Sequence, residues 1–301
     1  MGDTKTPELT GDQVRRFLDD GFFIVRDLLP RAAIQPFTDE LKQKVDEAVH
    51  AAVEQGVLDP AHTFADAPFE TRLASICKAC SERNWAWEHY FAEQTIYDQI
   101  QKPRTAGMFK LRTWPSLLDV VESIIGPEIL AHPQFNIRTK LPDQVETVIP
   151  WHQDLAFVNS EEAGDTLLVN CWIPLVDARA ENGCMQMMRG THGLPLLPHD
   201  LRVPLPDGKH CVGIDDRDLP DCEVVTGELN VGDVLLTTER VLHRSLPNVS
   251  DTVRWSVDTR YSALGLPTGR ADVPGFVARS SNHPDRVARS ARDWNESVEA
   301  G

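Results

Sequence analysis

The order of patterns along the chain predicts an α+β fold whose core is a double-sheet jelly roll with helices packed outside. Up to about residue 126 the sequence reads as amphipathic helices; from about 128, short apolar and β-branched runs alternate with Gly, Pro, Asn and Asp clusters. Short antiparallel strands at irregular spacing, with long crossovers, suit a jelly roll better than an up-and-down barrel. A length of 301 residues, 41% hydrophobic and 25% charged, favours one large domain. Its parts are a helical stretch over about 10–126, a jelly-roll core over about 128–262 and a tail over about 263–301.

In chain order, Thr10 and Gln13 make a capping box, Val14, Phe17 and Leu18 share a helical face, and Gly21 stands at the C-cap. GFFIVRDLL then reads as a strand. Ile34, Phe37, Leu41, Val45 and Val49 recur at steps of three and four, so a long helix packs on the outside of something flat. Trp85 to Ile100 reads as another helix. Pro115, with Leu117, Leu118, Val121, Ile124 and Ile125 before Gly126-Pro127, gives a third with both ends marked. EILAHPQFNIRTKL, TVIPWHQDLAFV, TLLVNCWIPLV, CMQMMRG, GDVLLTT and VRWSVDTRY are the strand candidates. Glu181-Asn182-Gly183-Cys184-Met185 is a turn, because Asn-Gly tolerates left-handed backbone. The tail after Ala263 either wraps over the barrel mouth or is partly mobile.

A formal charge of −16 repels nucleic acid and anionic membranes. The N-terminus has no apolar leader, and no stretch approaches the roughly 18 apolar residues of a membrane span. The expectation is a soluble, cytoplasmic protein acting on a small molecule, with no call for an oligomer. Six scattered cysteines read as reduced thiols, and the Cys77/Cys80 pair as chance spacing, since no second pair follows at zinc-finger distance.

Chemistry concentrates in two segments. In Val148-Ile149-Pro150-Trp151-His152-Gln153-Asp154, the histidine and aspartate are two apart on a predicted strand, so both can reach one metal. A lone HxD is weak, and His283-Pro284-Asp285 is a second copy; its proline fits a paired strand poorly. The later segment Gly232-Asp233-Val234-Leu235-Leu236, running on to Leu242-His243-Arg244-Ser245, reads as a buried strand ending in a third ligand, His243. Two imidazoles and one carboxylate on one face of a metal leave three positions open, the arrangement used by iron(II) oxygenases. Eleven residues on, Arg254 sits on what reads as the neighbouring strand, where a buried guanidinium needs an anion and suits a carboxylate bidentately. Arg260, on the same face by period two, is a rival for the role or a second structural charge.

With WHQD, CWIPLVDARAENGCMQMMRGTH, GDVLLTTERVLHRSLPN and a following Arg in this order, the chain resembles the phytanoyl-CoA dioxygenase-like family of Fe(II)/2-oxoglutarate oxygenases over about residues 11–265. The resemblance implies a double-stranded β-helix, the cupin-like jelly roll, with iron(II), 2-oxoglutarate and dioxygen as its cofactors. It implies His152, Asp154 and His243 as metal ligands and Arg254 as partner of the co-substrate carboxylate, assisted by Ser245. Trp172 and Gln134 fall near positions lining the co-substrate pocket, and Lys110, on FKLR, is a looser candidate for an upstream basic residue. Where the family pattern has Pro-Gly-Ser-His this chain has Arg189-Gly190-Thr191-His192, which bears on loop shape alone.

The implied reaction is hydroxylation of a small organic molecule with release of succinate and carbon dioxide. Retention of Asp154 favours oxidation over halogenation, and desaturation or ring closure uses the same triad. A zinc hydrolase and a non-catalytic binding protein on the same barrel are the competing readings. Trp85, Trp87, His89, Phe157 and Arg279 are candidates for the substrate pocket, and the acidic balance argues against a strongly anionic substrate.

Overall fold

A computed structural model describes residues 8–92, 102–144, 147–204 and 210–299. The N-terminal part runs α1 (Gly11–Asp20), β1 (Phe22–Val25), α2 (Arg31–Glu54), α3 (Phe69–Ala79), α4 (Trp85–Tyr90), α5 (Ala106–Arg112) and α6 (Pro115–Ile125). The core follows as β2 (Ile129–Lys140), α7 (Ser160–Ala163), β3 (Val169–Pro174), β4 (Met185–Met188), β5 (Leu201–Pro204), β6 (His210–Gly213), β7 (Val224–Gly227), β8 (Val234–Thr238), β9 (His243–Ser245) and β10 (Arg254–Ala263). The chain closes with β11 (Phe276–Arg279) and α8 (Ala291–Glu299).

The capping box of α1 forms as its sequence requires: Thr10 Oγ1 accepts from the Gln13 amide and Gln13 Oε1 from the Thr10 amide. Gly21 takes the left-handed cap, φ +82°, and turns the chain into β1. The helix expected from Trp85 extends as far as Tyr90, and its continuation from residue 93 lies outside the described residues.

Six strands make one antiparallel sheet in the order β1-β8-β3-β10-β2-β11, and three make a second, β7-β4-β9. The large sheet therefore borrows β1 from the helical stretch and β11 from the tail, so the core extends past both boundaries the sequence suggested. Strand alternation sorts its two faces. Ile129, Ala131, Phe135 and Ile137 of β2, Cys171 and Ile173 of β3, and Trp255, Val257 and Tyr261 of β10 join the helices in one apolar core. There the α2 stripe of Ile34, Phe37, Leu41, Val45 and Val49 is buried. The opposite face meets the small sheet through Trp172, Leu235, Met185 and Met187. Between the two sheets the alternate residues of β2 and β10 are polar, and the site lies there.

The tail packs on the large sheet and the helical layer. Residues Thr268–Gly269 contact His132 and Asn159, β11 pairs with the edge of β2, and α8 drives Trp294 into the core. Trp294 packs on Phe135 and Phe276, and the fully buried Arg112 guanidinium lies 4.7 Å over its ring. Among the described residues no helix is long and apolar enough to cross a membrane. Cys77 and Cys80 are free, buried thiols, with Cys77 pushed up to about 12 by burial. Replacing Trp294 by Ala should remove about 3–5 kcal/mol of unfolding free energy in urea denaturation. A loss under roughly 1 kcal/mol would show α8 to be peripheral.

Candidate metal centre and active site

His152 and His243 are brought together by backbone pairing across a narrow bridge, with amide-to-carbonyl bonds of 3.0 and 3.1 Å in the two directions. Two expectations need correction here. His152 and Asp154 do not share a regular strand: Gln153 is extended, then Asp154 opens a single tight turn over Asp154–Phe157. One extended residue between them is enough to send both side chains the same way. His243 does not end the strand 234–238. A turn closed by the Val241 amide on Thr238 Oγ1 carries the chain to the other sheet, where His243 begins β9.

The three ligand atoms lie within 4.8 Å of one another and all three residues are buried. His152 Nε2 is 3.8 Å from Asp154 Oδ1, and His243 Nε2 is 3.9 Å from Oδ2. His152 Nδ1 is 2.8 Å from Pro150 O and His243 Nδ1 is 3.0 Å from Val241 O. A carbonyl can only accept, so both protons sit on Nδ1 and both Nε2 lone pairs face the centre. Burial, then neighbouring His243, push His152 down to about 3, so it is a neutral donor at neutral pH. Burial alone would raise the Asp154 carboxyl, but Arg260, His243 and His152 together hold it well below the usual carboxylate range. Two imidazole nitrogens and one carboxylate oxygen fit a divalent first-row metal with open positions.

Asp154 is held by residues that face each other across β3 and β10. Asn170 and Arg260 are register partners; Asn170 Nδ2 donates to Oδ2 and Arg260 Nη2 to Oδ1, each at 2.7 Å. The rival arginine of the sequence is thus committed to the metal carboxylate. Its other nitrogen binds Asp258 at 3.1 Å, and Asp258 also accepts from Asn136 at 2.5 Å and Arg138 at 3.0 Å.

The cavity next to the triad, about 620 Å³ to its open mouth, is lined at one end by Lys140, Trp172, Ser245 and Arg254. Arg254 begins β10, in the sheet opposite β9 and not beside it, directly across from Lys140 on β2. Among the described residues neither cation has a charged hydrogen-bond partner. Arg254 donates to Gly183 O (3.2 Å) and to Ser256 Oγ; Lys140 donates to Ser245 Oγ (2.8 Å) and Leu246 O (2.5 Å). Burial, then mutual repulsion, pull Lys140 well below its ordinary value; burial and Arg138 bring Arg254 down to about 10. Trp172 lies 5.5 Å under the Arg254 guanidinium. Gly183, at φ +89°, cannot carry a Cβ, which would sit 2.6 Å from both Lys140 Cδ and Leu246 O.

The remaining candidates are elsewhere. Lys110 is exposed on α5, its ammonium 5.6 Å from the Trp114 ring, because it occupies the solvent face of a helix. Gln134 is buried farther along β2 and does not line the cavity; among the described residues its Oε1 has no partner. Ser245 supports Lys140 and the Ile149 amide, with no bond to Arg254. Of the substrate-pocket candidates, Phe157 stands edge-on to His152 at 5.4 Å. Trp85 and Trp87 are core residues, His89 stacks on Trp85, and Arg279 pairs with Asp119 and Glu122. The second HxD, His283 and Asp285, is exposed. Sequence reasoning passed over Lys140, Asn170, Asp258 and Gln153, whose buried amide pins the 195–197 loop and the Arg240 carbonyl. The period-two row Gln134, Asn136, Arg138, Lys140 was the signal for the first of these.

An open triad of two histidines and one carboxylate, buried between antiparallel sheets beside two buried cations, is the design of a mononuclear non-haem metal oxygenase. The phytanoyl-CoA dioxygenase (PhyH) family model matches residues 17–256, and the chain belongs to that family. It is 26% identical to the peroxisomal phytanoyl-CoA dioxygenase of Rattus norvegicus over 85% of this chain and 69% of that one. With phytanoyl-CoA dioxygenase domain-containing protein 1 of Danio rerio it shares 31% identity over 82% and 87%. Among solved structures, the apo form of the non-heme monooxygenase ThoJ has the same fold, with TM-score 0.57 and 19% identity over 96% and 95% of the two chains. His152→Ala should weaken cobalt(II) or iron(II) binding by more than the roughly 100-fold that loss of an outer partner costs. His283→Ala should leave it unchanged in the same calorimetric titration, and equal losses would refute the assignment.

Proposed function

We propose that the protein binds iron(II) through His152, Asp154 and His243 and 2-oxoglutarate through Arg254 and Lys140, and hydroxylates a small organic molecule at an unactivated C–H bond. Succinate and carbon dioxide are the co-products. On this reading the two facing sheets are a double-stranded β-helix. The observation that carries it is the cross-strand pair Lys140 and Arg254: two buried cations side by side, with only neutral hydrogen-bond partners among the described residues, in the same cavity as the triad. Like charges set directly opposite are destabilising, and burial deepens the cost, so the pair is built for a dianion's far carboxylate. A diacid whose near end chelates the metal fits both.

When bound, the metal, 2-oxoglutarate and dioxygen supply the oxidising chemistry. The chain's own work is placement. Arg254 offers a planar fork to the distal carboxylate while Gly183 O and Ser256 hold that fork still. Lys140 adds a point charge, aimed by Ser245 and Leu246. Trp172 closes one wall and excludes water. Phe157, beside His152, fixes where a substrate can approach.

Anaerobic addition of iron(II) and then 2-oxoglutarate should give the weak visible charge-transfer band of the chelate, absent in His152→Ala. Bound iron without a band in the wild type would bring the zinc-hydrolase reading forward. Lys140→Ala should raise the 2-oxoglutarate dissociation constant by about 10–100-fold, as expected for a charged hydrogen bond of ~1.5–3 kcal/mol. Lys110→Ala should not change it. Lys140 is pulled below its ordinary value in the free protein, and an anion binds its protonated form. Affinity should therefore be full below the free-state pKa and fall as pH rises through it. Lys140→Arg should flatten that dependence, and a pH-independent wild type would exclude Lys140 from the binding site.

A further inference from the structure

Arg260 bridges two buried carboxylates. It binds Asp258 at 3.1 Å, a carboxylate it shares with Arg138 at 3.0 Å. The same side chain also reaches the metal carboxylate, Asp154 Oδ1, at 2.7 Å, and Asn170 takes Oδ2 at 2.7 Å. Each Asp154 oxygen thus has one N–H donor on the barrel-wall side and one histidine Nε2 within 4 Å on the other. Asn136 and Arg138 hold Asp258 in turn, so the guanidinium cannot swing away without breaking both carboxylate contacts.

We propose that Arg260 is a positioning residue that sets how electron-rich the bound iron is, by fixing Asp154 and withdrawing part of its charge. This rests on the metal and co-substrate reading above. A full positive charge one hydrogen bond from the ligand oxygen weakens that oxygen as a donor and repels the ferric state more than the ferrous. The protein thereby biases the resting metal toward iron(II), the form that takes up co-substrate and dioxygen. Asn170, neutral, fixes the plane of the carboxylate without adding charge.

The test compares wild type, Arg260→Gln and Arg260→Lys by two measurements. One is the position of the anaerobic iron(II)/2-oxoglutarate charge-transfer band, the other the Fe(III)/Fe(II) midpoint potential without 2-oxoglutarate, read by mediator titration. Arg260→Gln should move the band to longer wavelength and lower the potential, and Arg260→Lys, which keeps the charge, should stay near wild type. Should Arg260→Gln fail to fold for want of a partner to Asp258, the double variant Arg260→Gln/Asp258→Asn makes the same comparison, with shifts in the same direction. Unchanged band and potential in these variants would overturn the proposal, as would equal shifts in Arg260→Lys. A wild type that binds iron but shows no band defeats the co-substrate reading alone, and the potential then decides the role of Arg260.

Discussion

Burying the Asp154 carboxylate is the constraint from which the rest of the site follows. An ionised carboxyl at 5% exposure is costly unless every direction around it is answered. Arg260 and Asn170 answer from the wall, and two histidines leave room for a metal on the open side. Arg260 in turn requires Asp258, and Asp258 requires Asn136 and Arg138. A chain of polar contacts therefore runs from Asp154 across three strands, and removing Arg260 would leave Asp154 without its charged partner in it.

Strand alternation is what makes such a network compatible with a stable core. Along β10, Trp255, Val257 and Tyr261 face the helices while Arg254, Asp258 and Arg260 face the cavity. Trp255 stacks on Phe69 of α3 at 4.8 Å, so the strand that carries the site is also tied to the helical layer. Asp154, which itself lies in a tight turn, is thus braced by residues on regular strands.

The other end of the cavity has the opposite character. Lys140 and Arg254 are register partners whose charges repel, and among the described residues their hydrogen-bond partners are neutral. The Asp154 network is balanced within the protein; on the reading proposed above, a bound dianion would balance this pair and link co-substrate binding to folding stability.

Residue types and patterning alone made the helix-then-sheet plan legible. The convergence of His152, Asp154 and His243 was legible because their types, order and spacing suit one metal, and Arg254 lines the same cavity, as its place after them suggested. The helices were legible because apolar stripes at steps of three and four persist over several turns, as at Ile34 to Val49. What the sequence did not determine were relations that depend on register. Lys140 was overlooked in favour of Lys110, since a strand lysine and a helix lysine look alike until β2 and β10 are aligned. Arg254 and Arg260 were rivals until the pairing of Arg260 with Asn170 put one on the metal carboxylate and the other across from Lys140. Cross-strand partners are set by sheet assembly between segments far apart in the chain, so which arginine contacts Asp154 and which faces Lys140 was fixed by the assembled sheet and not by the local pattern.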